Sequence, residues 1–457
     1  MELKGKKVLV VGLGKSGLAA ALFLRRQGAQ VTVSDIRSAA VLGKDIPALL
    51  EEGIMVEAGG HGLLTFRRQD LIVVSPGVPL DTPELAQVRA LGLTIIGEVE
   101  LAARFLKGRS LAITGSNGKT TTTSLCGEIL AAGGLKTAVG GNIGLPVIAL
   151  VDGSTEEGWS VLEISSFQLE TTDSFRPNIS VILNITPDHL DRHGSFENYV
   201  AAKERIFAQQ TPEDALVLNA DDEASAKTAV HAGASGHGPA IYWFSRKRVV
   251  RQGAFVHDGT LFFRSSENAA QEAILRVDEI PLKGGHNIEN VLAAVCAARL
   301  AGVDASAIRV AVKGFKAVAH RLEFVAEIDG VAYYNDSKAT NVDATIKALE
   351  AFPGGIHLIL GGKDKGSDYR VLRPLLHERV KAVYTIGAAA EKIQAHIEGA
   401  APIVSAGTLA VAVAKAAETA KAGELVLLAP ACSSFDQFEN YEQRGQAFKE
   451  LVKALRG

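Results

Sequence analysis

The stretch Leu111-Ala-Ile-Thr-Gly-Ser-Asn-Gly-Lys-Thr-Thr121 is a short apolar run followed by a glycine-rich turn and the start of a helical pattern. A strand that enters a helix through such a turn can present backbone N–H groups to phosphates. Lys119 can then reach the terminal phosphates of a nucleotide, and Thr120 can hold Mg²⁺. The full phosphate-loop pattern would place its first glycine at Ile113, but the Asn-Gly-Lys-Thr-Thr core still predicts ATP or GTP binding. The alternative is a surface turn with a solvated lysine.

Short apolar runs alternate with helical patterns on both sides of this loop. The runs that predict strands are 7–11, 29–34 and 71–74, then 111–114, 160–164, 180–184 and 215–218, and finally 330–334, 357–360, 382–385 and 425–428. Such alternation is typical of βαβ units and parallel sheets. Residues 231–282 differ, because shorter alternating runs and turn residues predict an antiparallel patch there.

The three series of strands predict an α/β protein with three domains, which comprise residues 1–97, 98–302 and 303–457. The chain has 457 residues, and a domain has roughly 100–200. We expect a Rossmann-like N-terminal domain, a central ATPase domain of the phosphate-loop type with a mostly parallel sheet, and a Rossmann-like C-terminal domain.

Composition excludes several classes of protein. Apolar residues make up 47% of the chain and charged residues 22%, as in ordinary globular proteins. The net charge of −3 argues against a protein that coats nucleic acid or an anionic membrane. We see no signal-peptide pattern and no apolar run of about 18 residues that would span a membrane. Three widely separated cysteines favour a reducing compartment, so we expect a cytoplasmic protein.

A second glycine-rich turn follows the first predicted strand. Gly12-Leu-Gly-Lys-Ser-Gly17 leads from that strand into a helix, and Asp35 stands at the end of the next strand. The glycines let the backbone approach a pyrophosphate, and the acid can reach a distal hydroxyl group. By itself this motif predicts NAD binding, and the alternative is a tight turn with no ligand.

Two charged residues occur where the pattern is apolar. Glu163 ends a predicted strand, which suits a Mg²⁺ ligand, although a paired or capping glutamate would look the same. Lys203 follows Tyr199 and Val200 and precedes Phe207 at helical spacing, so it falls on an apolar stripe. A lysine there must extend to solvent, find an anion or lose its charge, and a neutral lysine could take up CO₂ as a carbamate. The pattern alone favours extension to solvent.

His189 and His193 have the spacing of half a zinc site. No Glu follows the first histidine directly, and Gly194 interrupts any helix, so the sequence does not favour zinc.

Three C-terminal clusters place polar groups after predicted strands. They are Tyr334-Asn-Asp-Ser-Lys-Ala-Thr-Asn341, Gly361-Gly-Lys-Asp-Lys365 and Pro430-Ala-Cys-Ser-Ser-Phe-Asp-Gln-Phe438. Open α/β sheets bind ligands at the carboxyl ends of their strands. Lysine and threonine side chains there suit a small acid with two carboxylates, although each cluster taken alone is also compatible with an ordinary loop.

Together these motifs resemble the Mur ligases, the ATP-dependent amino-acid ligases of peptidoglycan synthesis. The shared residues extend over nearly the whole chain and are Thr114–Thr120, Glu163, Asn184, Asp188-His189, Lys203, His286-Asn287, Asn290 and His320-Arg321. Three further stretches are similar to the member of the family that adds D-glutamate: Asn335–Asn341, Gly77 within Ser75-Pro-Gly-Val-Pro79, and Asp436–Gly445.

The resemblance implies that the enzyme joins D-glutamate to UDP-N-acetylmuramoyl-L-alanine through an acyl phosphate and releases ADP and phosphate. It implies ATP, two Mg²⁺ ions and a carbamylated Lys203, and it implies that the first glycine loop binds UDP and not NAD. The expected partners are therefore small molecules, without nucleic acid or membrane, and we expect a monomer.

The resemblance also implies roles for individual residues. The catalytic residues would be Lys119, Glu163, His189 and Lys203, and the metal ligands Thr120, Glu163, His189 and the Lys203 carbamate. ATP would contact Gly115, Ser116, Asn117, Gly118, Lys119, Thr120, Thr121, Asn287, Asn290, Arg321 and Asp336. The UDP-substrate would contact Lys15, Ser16, Asp35, Arg37, Ser75, Gly77, Asn142 and His189, although Lys15 and Ser16 differ from the residues expected there. D-Glutamate would contact Lys338, Thr340, Lys365, Ser434, Phe435 and Tyr441.

Two rival functions rest on parts of the pattern. A dinucleotide-dependent oxidoreductase would explain Gly12–Gly17 and Asp35 but not the Lys119 loop. A non-catalytic nucleotide-binding switch would explain that loop but not the C-terminal acid-binding clusters.

Overall fold

The computed structural model describes residues 1–43, 45–234, 236–316 and 318–455. These residues form an α/β protein with three sheets, which confirms the predicted fold class. The chain divides into two compact units. The first comprises Met1–Ile185, Glu197–Leu275 and Leu292–Ala311, and the second Thr186–Phe196, Arg276–Val291 and the chain from Val312 onward. The predicted domain boundaries at 97 and 302 stay a prediction.

The N-terminal sheet is parallel and has the strand order β3-β2-β1-β4-β5. Its strands are β1 Lys7–Val11, β2 Gln30–Asp35, β3 Met55–Ala58, β4 Leu71–Val74 and β5 Ile95–Gly97, and its helices are α1 Lys15–Arg26, α2 Ile46–Glu51, α3 Leu63–Arg67 and α4 Pro83–Ala90. The chain order reverses beside β1, where doubly wound sheets bind ligands.

The central sheet has the order β14-β13-β12-β11-β10-β9-β6-β8-β7. Its strands are β6 Arg109–Thr114, β7 Thr137–Gly141, β8 Trp159–Glu163, β9 Ile179–Ile182, β10 Ala215–Asn219, β11 Ala240–Ser245, β12 Gly253–His257, β13 Thr260–Arg264 and β14 Glu272–Arg276. The helices of this part of the chain are α5 Glu98–Ala103, α6 Lys119–Ala132, α7 Val147–Leu150, α8 Ser166–Leu169, α9 Leu190–His193, α10 Phe196–Glu204, α11 Glu223–Gly233, α12 Gly285–Leu300 and α13 Ala305–Gly314.

The antiparallel patch predicted for residues 231–282 is wrong in part. β11 and β12 continue the parallel pairing of the central sheet, and β13 pairs antiparallel with β12. The apolar runs of all these strands are equally short, so the sequence did not show where the direction changes.

The C-terminal sheet has the order β15-β16-β20-β17-β18-β19. Its edge strand β15 pairs antiparallel with β16, and the other pairings described for this sheet are parallel. Its strands are β15 Glu323–Ile328, β16 Val331–Asn335, β17 Ile356–Gly361, β18 Val380–Ile386, β19 Ile403–Gly407 and β20 Leu425–Leu428, and its helices are α14 Val342–Glu350, α15 Arg373–Arg379, α16 Ala390–Ile397, α17 Leu409–Thr419 and α18 Tyr441–Ala454.

Buried strands explain why this sheet carries helices on both faces. On β17, Leu358 and Leu360 belong to one apolar cluster, whereas Ile359 between them belongs to a second. Successive side chains of a strand point to opposite faces, so each face of the sheet has its own core.

Among the described residues, no helix combines the length and the hydropathy that a membrane span requires.

Candidate active site

The phosphate loop is held open by glycines and by hydrogen bonds from a neighbouring strand end. Gly118 has φ 88° and directly precedes α6, a left-handed conformation that glycine adopts without strain. Asn184, after β9, accepts from the N–H groups of Ser116 and Asn117 through its carbonyl and its Oδ1, each at 2.9 Å. Its Nδ2 donates to the carbonyl of Asn117 at 3.1 Å. These hydrogen bonds fix the loop between β6 and α6, where the sequence predicts a turn from a strand into a helix.

Lys119 and Lys203 meet at one carbonyl group of this loop. The Nζ of Lys119 donates to the carbonyls of Gly115 at 2.7 Å and Ser116 at 2.9 Å. The Nζ of Lys203 donates to the same Gly115 carbonyl at 2.9 Å, although 88 residues separate the two in sequence. The structure thus brings two candidate catalytic lysines to one point beside the phosphate loop.

The expectation from the pattern alone that Lys203 extends to solvent is wrong. Only 1% of the residue is exposed, and its Nζ lies 4.4 Å from the ring centroid of Tyr199. The Tyr199 hydroxyl hydrogen-bonds to Ser116 Oγ at 3.0 Å. A buried ammonium needs compensating partners, and the loop carbonyl and the aromatic face provide two of them.

Glu163 has the chemistry of a metal ligand. It ends β8 beside the phosphate loop strand and is 1% exposed. Its Oε1 accepts from Asn142 Nδ2 at 2.9 Å, whereas its Oε2 is buried and has no hydrogen-bond partner among the described residues. A buried carboxylate oxygen without a partner is costly, and a cation would compensate it. The donor set of Glu163 and Thr120 therefore fits a hard divalent ion.

His189 belongs to the second compact unit, whereas Thr120, Glu163 and Lys203 belong to the first. His189 has φ 53°, and its N–H donates to Asp188 Oδ1 at 3.0 Å. Over the described ranges, no group of three His, Cys, Asp or Glu side chains is arranged to hold a metal.

The first glycine loop places its candidate residues at the ends of three adjacent strands. Gly12 follows β1, Asp35 ends β2, and Ser75 follows β4, where its Oγ donates to the carbonyl of Gly12 at 2.6 Å. Lys15 and Ser16 begin α1, and Gly77 is exposed in the turn after Ser75.

Asp35 is already occupied by protein groups. Arg37 donates from Nε to Oδ1 at 2.9 Å and from its terminal nitrogen to Oδ2 at 2.7 Å, and the N–H of Leu13 donates to Oδ2 at 2.6 Å. Burial alone would raise the pKa of Asp35, but these hydrogen bonds outweigh it and lower the pKa to about 2. Asp35 is therefore a charged acceptor held in place by Arg37 and by the loop after β1.

The three polar clusters follow strands of the C-terminal sheet, as the sequence predicts. They follow β16, β20 and β17, which are neighbours in the sheet. Lys363 and Ser433 form a bridge between the second and third clusters, with N–H to carbonyl at 2.9 Å and hydroxyl to carbonyl at 3.0 Å. The Lys338 Nζ lies 3.7 Å from the ring centroid of Tyr441, which places two of the predicted D-glutamate residues together.

The other residues predicted for this pocket differ in exposure. Ser434 is buried, Thr340 is half-buried, and Lys365 and Phe435 are exposed. The phenyl ring of Phe435 is thus available to a ligand.

The residues predicted to contact ATP from outside the loop lie in the second unit. Asn287 and Asn290 are hydrogen-bonded to each other at 3.0 Å on α12. Asp336 is buried, and burial raises its pKa to about 7 although the charge of Arg321 opposes this shift.

The sequence pattern indicated no role for Arg444, which connects the first and third polar clusters of the C-terminal sheet. It is 1% exposed and donates to Ser337 Oγ at 3.0 Å, to the Ser337 carbonyl at 2.8 Å and to the Cys432 carbonyl at 3.1 Å. Burial lowers its pKa to about 10. Its spacing from buried Phe448 and Val452 on α18 is the signal that singled out Lys203 and could have identified it.

The chain matches three family models. Residues 6–97 match the Mur ligase MurD-like N-terminal domain, residues 113–298 the Mur ligase middle domain, and residues 320–432 the Mur ligase glutamate ligase domain.

Curated relatives match along the full length. The UDP-N-acetylmuramoylalanine–D-glutamate ligase of Acidobacterium capsulatum is 76% identical over 457 residues, which cover 100% of this chain and 98% of the relative. The enzyme of the same name from Koribacter versatilis is 59% identical over 455 residues, which cover 100% of this chain and 99% of that relative. Among solved structures, the MurF ligase of Thermotoga maritima in complex with ADP has a TM-score of 0.59 at 16% identity, with coverage of 99% of this chain and 96% of that one.

Proposed function

We propose, since this chain belongs to the Mur ligase family, that it joins D-glutamate to UDP-N-acetylmuramoyl-L-alanine in peptidoglycan precursor synthesis, using ATP. The full-length identity of 76% to a relative with this activity in its name carries the proposal. The phosphate loop and the acid pocket are the two features of the chain that the reaction requires together.

The reaction proceeds in two substitutions. The carboxylate of the L-alanyl group attacks the γ-phosphorus of ATP, and ADP leaves as the acyl phosphate forms. The uncharged amine of D-glutamate then attacks the acyl carbon, phosphate leaves, and the amine loses a proton as the amide forms. Both steps move negative charge onto phosphate oxygens, so positioned cations lower the barrier.

Lys119 is the protein cation best placed for this charge. Its Nζ lies in the glycine-rich loop, 2.7 Å from the Gly115 carbonyl and 2.9 Å from the Ser116 carbonyl, which supports a role in holding phosphates there. Mg²⁺, when bound by Thr120 and Glu163, would neutralise further charge on the phosphates. We propose His189 and a carbamate of Lys203 as ligands of a second ion, since a carbamate would replace a buried ammonium by an anion.

The substrates divide between the polar clusters. Lys15, Ser16, Asp35, Arg37, Ser75, Gly77, Asn142 and His189 would hold the UDP-substrate. Lys338, Thr340, Lys365, Ser434, Phe435 and Tyr441 would hold D-glutamate, with Lys338 and Lys365 as cations for its carboxylates. Gly115–Thr121, Asn287, Asn290, Arg321 and Asp336 would hold ATP.

The proposed domain limits are 1–97 for the domain that binds the UDP-substrate, 98–302 for the ATP domain and 303–457 for the amino-acid domain.

The three cysteines are buried and free, which supports a reducing compartment, and we propose the cytoplasm. We further propose a monomer that acts on small molecules, without nucleic acid or membrane.

Phosphate release tests the function directly. We expect release only when ATP, UDP-N-acetylmuramoyl-L-alanine and D-glutamate are all present, and we expect Lys119→Ala to lower turnover by at least about 10³-fold while the protein stays folded. ATP hydrolysis that ignores both other substrates would favour the nucleotide-switch alternative. Reduction of NAD in place of phosphate release would favour the oxidoreductase.

A further inference from the structure

Glu98 is a buried acid outside all the groups of residues assigned above. It directly follows Gly97, the last residue of β5, and begins α5. Gly97 itself packs against the central part of the chain, since its N–H donates to the carbonyl of Thr171 at 3.2 Å. Glu98 is 1% exposed, and its Oε2 is a buried oxygen without a hydrogen-bond partner in the described part of the chain. An acid retained in such surroundings needs an explanation.

The other oxygen of Glu98 holds the first turn of α7. Its Oε1 accepts from the N–H of Ile148 at 2.6 Å. Pro146 occupies the N-cap position of α7 and has no side-chain acceptor to offer. The free N–H groups at the start of this helix are therefore satisfied by a carboxylate from another element, 50 residues away in sequence.

The loop that leads from β7 into α7 carries Asn142. The N–H of Gly141 donates to the carbonyl of Leu145 at 2.7 Å, which closes a tight loop between β7 and α7 with Asn142 inside it. Asn142 donates from its backbone N–H to the Glu163 carbonyl at 2.8 Å and from Nδ2 to Glu163 Oε1 at 2.9 Å. A short chain of contacts thus leads from Glu98 to the orientation of the Glu163 carboxylate.

We propose that Glu98 is a positioning residue: by capping α7 it holds the Asn142 loop, and through Asn142 it sets the orientation of Glu163. This inference rests on the proposed function for the roles of Asn142 and Glu163. Glu98 acts as a hydrogen-bond acceptor in this role, so its shape matters more than its charge.

Glu100 supplies a matched control on the same helix. It is 0% exposed and accepts from the N–H groups of Asp173 at 2.8 Å and Ser174 at 2.9 Å. It therefore ties a different turn of the central part of the chain, away from the Asn142 loop. Glu100→Gln should destabilise the protein without altering Glu163.

The test compares Glu98→Ala, Glu98→Gln and Glu100→Gln in the full-length enzyme. For Glu98→Ala we expect the KM for the UDP-substrate and the Mg²⁺ concentration at half-maximal rate to rise at least about tenfold, with the KM for D-glutamate unchanged. Glu98→Gln retains the acceptor oxygen, so both constants should stay within about threefold of the wild-type values. That change is smaller than the effect expected from complete loss of the hydrogen bond. Glu100→Gln should alter thermal stability but neither constant.

A second-site variant separates positioning from loss of fold. Pro146→Ser places a hydroxyl at the N-cap of α7, where serine is a favoured capping residue, and should partly restore both constants in the Glu98→Ala background. If Glu98→Ala kinetics match wild type, or if Glu98→Gln is as impaired as Glu98→Ala, the inference is overturned.

Hydrogen–deuterium exchange supplies a readout that does not depend on activity. Glu98→Ala should speed exchange in a peptide covering residues 142–150, whereas Glu100→Gln should speed it in residues 172–176. Unchanged exchange at 142–150 in Glu98→Ala would contradict the capping contact. An inactive wild-type enzyme with the expected exchange pattern would instead contradict the proposed function and leave the contact standing.

Discussion

Lys203 and Arg444 are cations that the fold buries on apolar helix stripes. Lys203 contacts the carbonyl of Gly115, and Arg444 contacts those of Ser337 and Cys432, so each holds a loop of a candidate site. A buried charge is retained only where partners compensate its lost hydration. At the scale of single residues, such buried cations are the best markers of where the chain has been arranged for function.

Lys203→Ala should lower turnover by orders of magnitude while the protein stays folded, and a short carboxylate such as acetate should partly restore it by replacing the proposed carbamate. Lys203→Arg is the matched control, because it keeps the positive charge but forms no carbamate. Steady-state rates with and without acetate measure both. A Lys203→Arg variant with wild-type turnover would show that a cation suffices and would refute the carbamate.

Glu98 also makes a prediction for stability against pH. Burial raises its pKa from 4.5 to about 7, although the N–H groups of Ile148 and Val147 oppose the shift. The folded state then binds more protons than the unfolded state between these values, so the Glu98 contribution to the free energy of unfolding falls as pH rises through this window, by on the order of 3 kcal/mol.

Glu98→Gln should remove this dependence. Chemical denaturation from pH 4.5 to 7 should show the variant gaining stability relative to wild type as pH rises. Glu100→Gln is the control. Burial would raise the pKa of Glu100, but its hydrogen bonds lower it below the usual value, so that variant should differ from wild type by a constant amount over the same range. A constant difference for Glu98→Gln as well would contradict the prediction.

At the scale of elements, the loops that carry most candidate residues follow the carboxyl ends of adjacent strands in each sheet, whereas Lys203, Asn287, Asn290 and Tyr441 lie on helices. β2, β1 and β4 carry the first set, β9, β6, β8 and β7 the second, and β16, β20 and β17 the third. Parallel strands all end at the same edge, so loops far apart in sequence converge there. Strand order, and not proximity in sequence, determines which loops share a site.

The loops after β16, β20 and β17 predict selectivity for the D-enantiomer of glutamate. Lys338→Ala and Lys365→Ala should raise the KM for D-glutamate more than that for ATP, because each removes a cation that we propose as a partner of a D-glutamate carboxylate. L-Glutamate should be used at least about 10²-fold less well, since placing its amine for attack withdraws a carboxylate from its contacts.

The kcat/KM values for D-glutamate, L-glutamate and D-aspartate measure this selectivity. Lys363→Ala is the matched control, because Lys363 is exposed in the same loop and contributes backbone contacts to Ser433. Equal use of both enantiomers of glutamate would refute the D-glutamate assignment and leave the general ligase chemistry intact.

At the scale of the whole molecule, the first strand of the N-terminal sheet and the first strand of the central sheet are each followed by a glycine loop that could hold phosphates. The sequence alone therefore allows either a dinucleotide or a nucleotide-sugar at the N-terminal loop. The match of residues 6–97 to the Mur ligase MurD-like N-terminal domain favours the second. We expect calorimetric titration to show binding of the UDP-substrate and none of NADH or NADPH. Tight NADH binding would revive the oxidoreductase.

Local sequence pattern was enough to predict the α/β class, strands in all three sheets, and the position of the phosphate loop. These depend on local hydrophobic runs and on glycines, which act over a few residues. Short or exposed edge strands such as β3, β7 and β19 were missed, because their apolar signal is weak.

The contacts of the buried polar groups depend on how the chain packs. The stripe around Lys203 predicted an unusual environment, but not that its Nζ would meet the carbonyl of Gly115. Nothing local indicated that Asn184 would hold the phosphate loop, that Arg444 would join two loops of the acid pocket, or that Glu98 would cap α7. Hydrogen bonds between groups tens of residues apart depend on how sheets and helices pack, and local sequence pattern does not specify that packing.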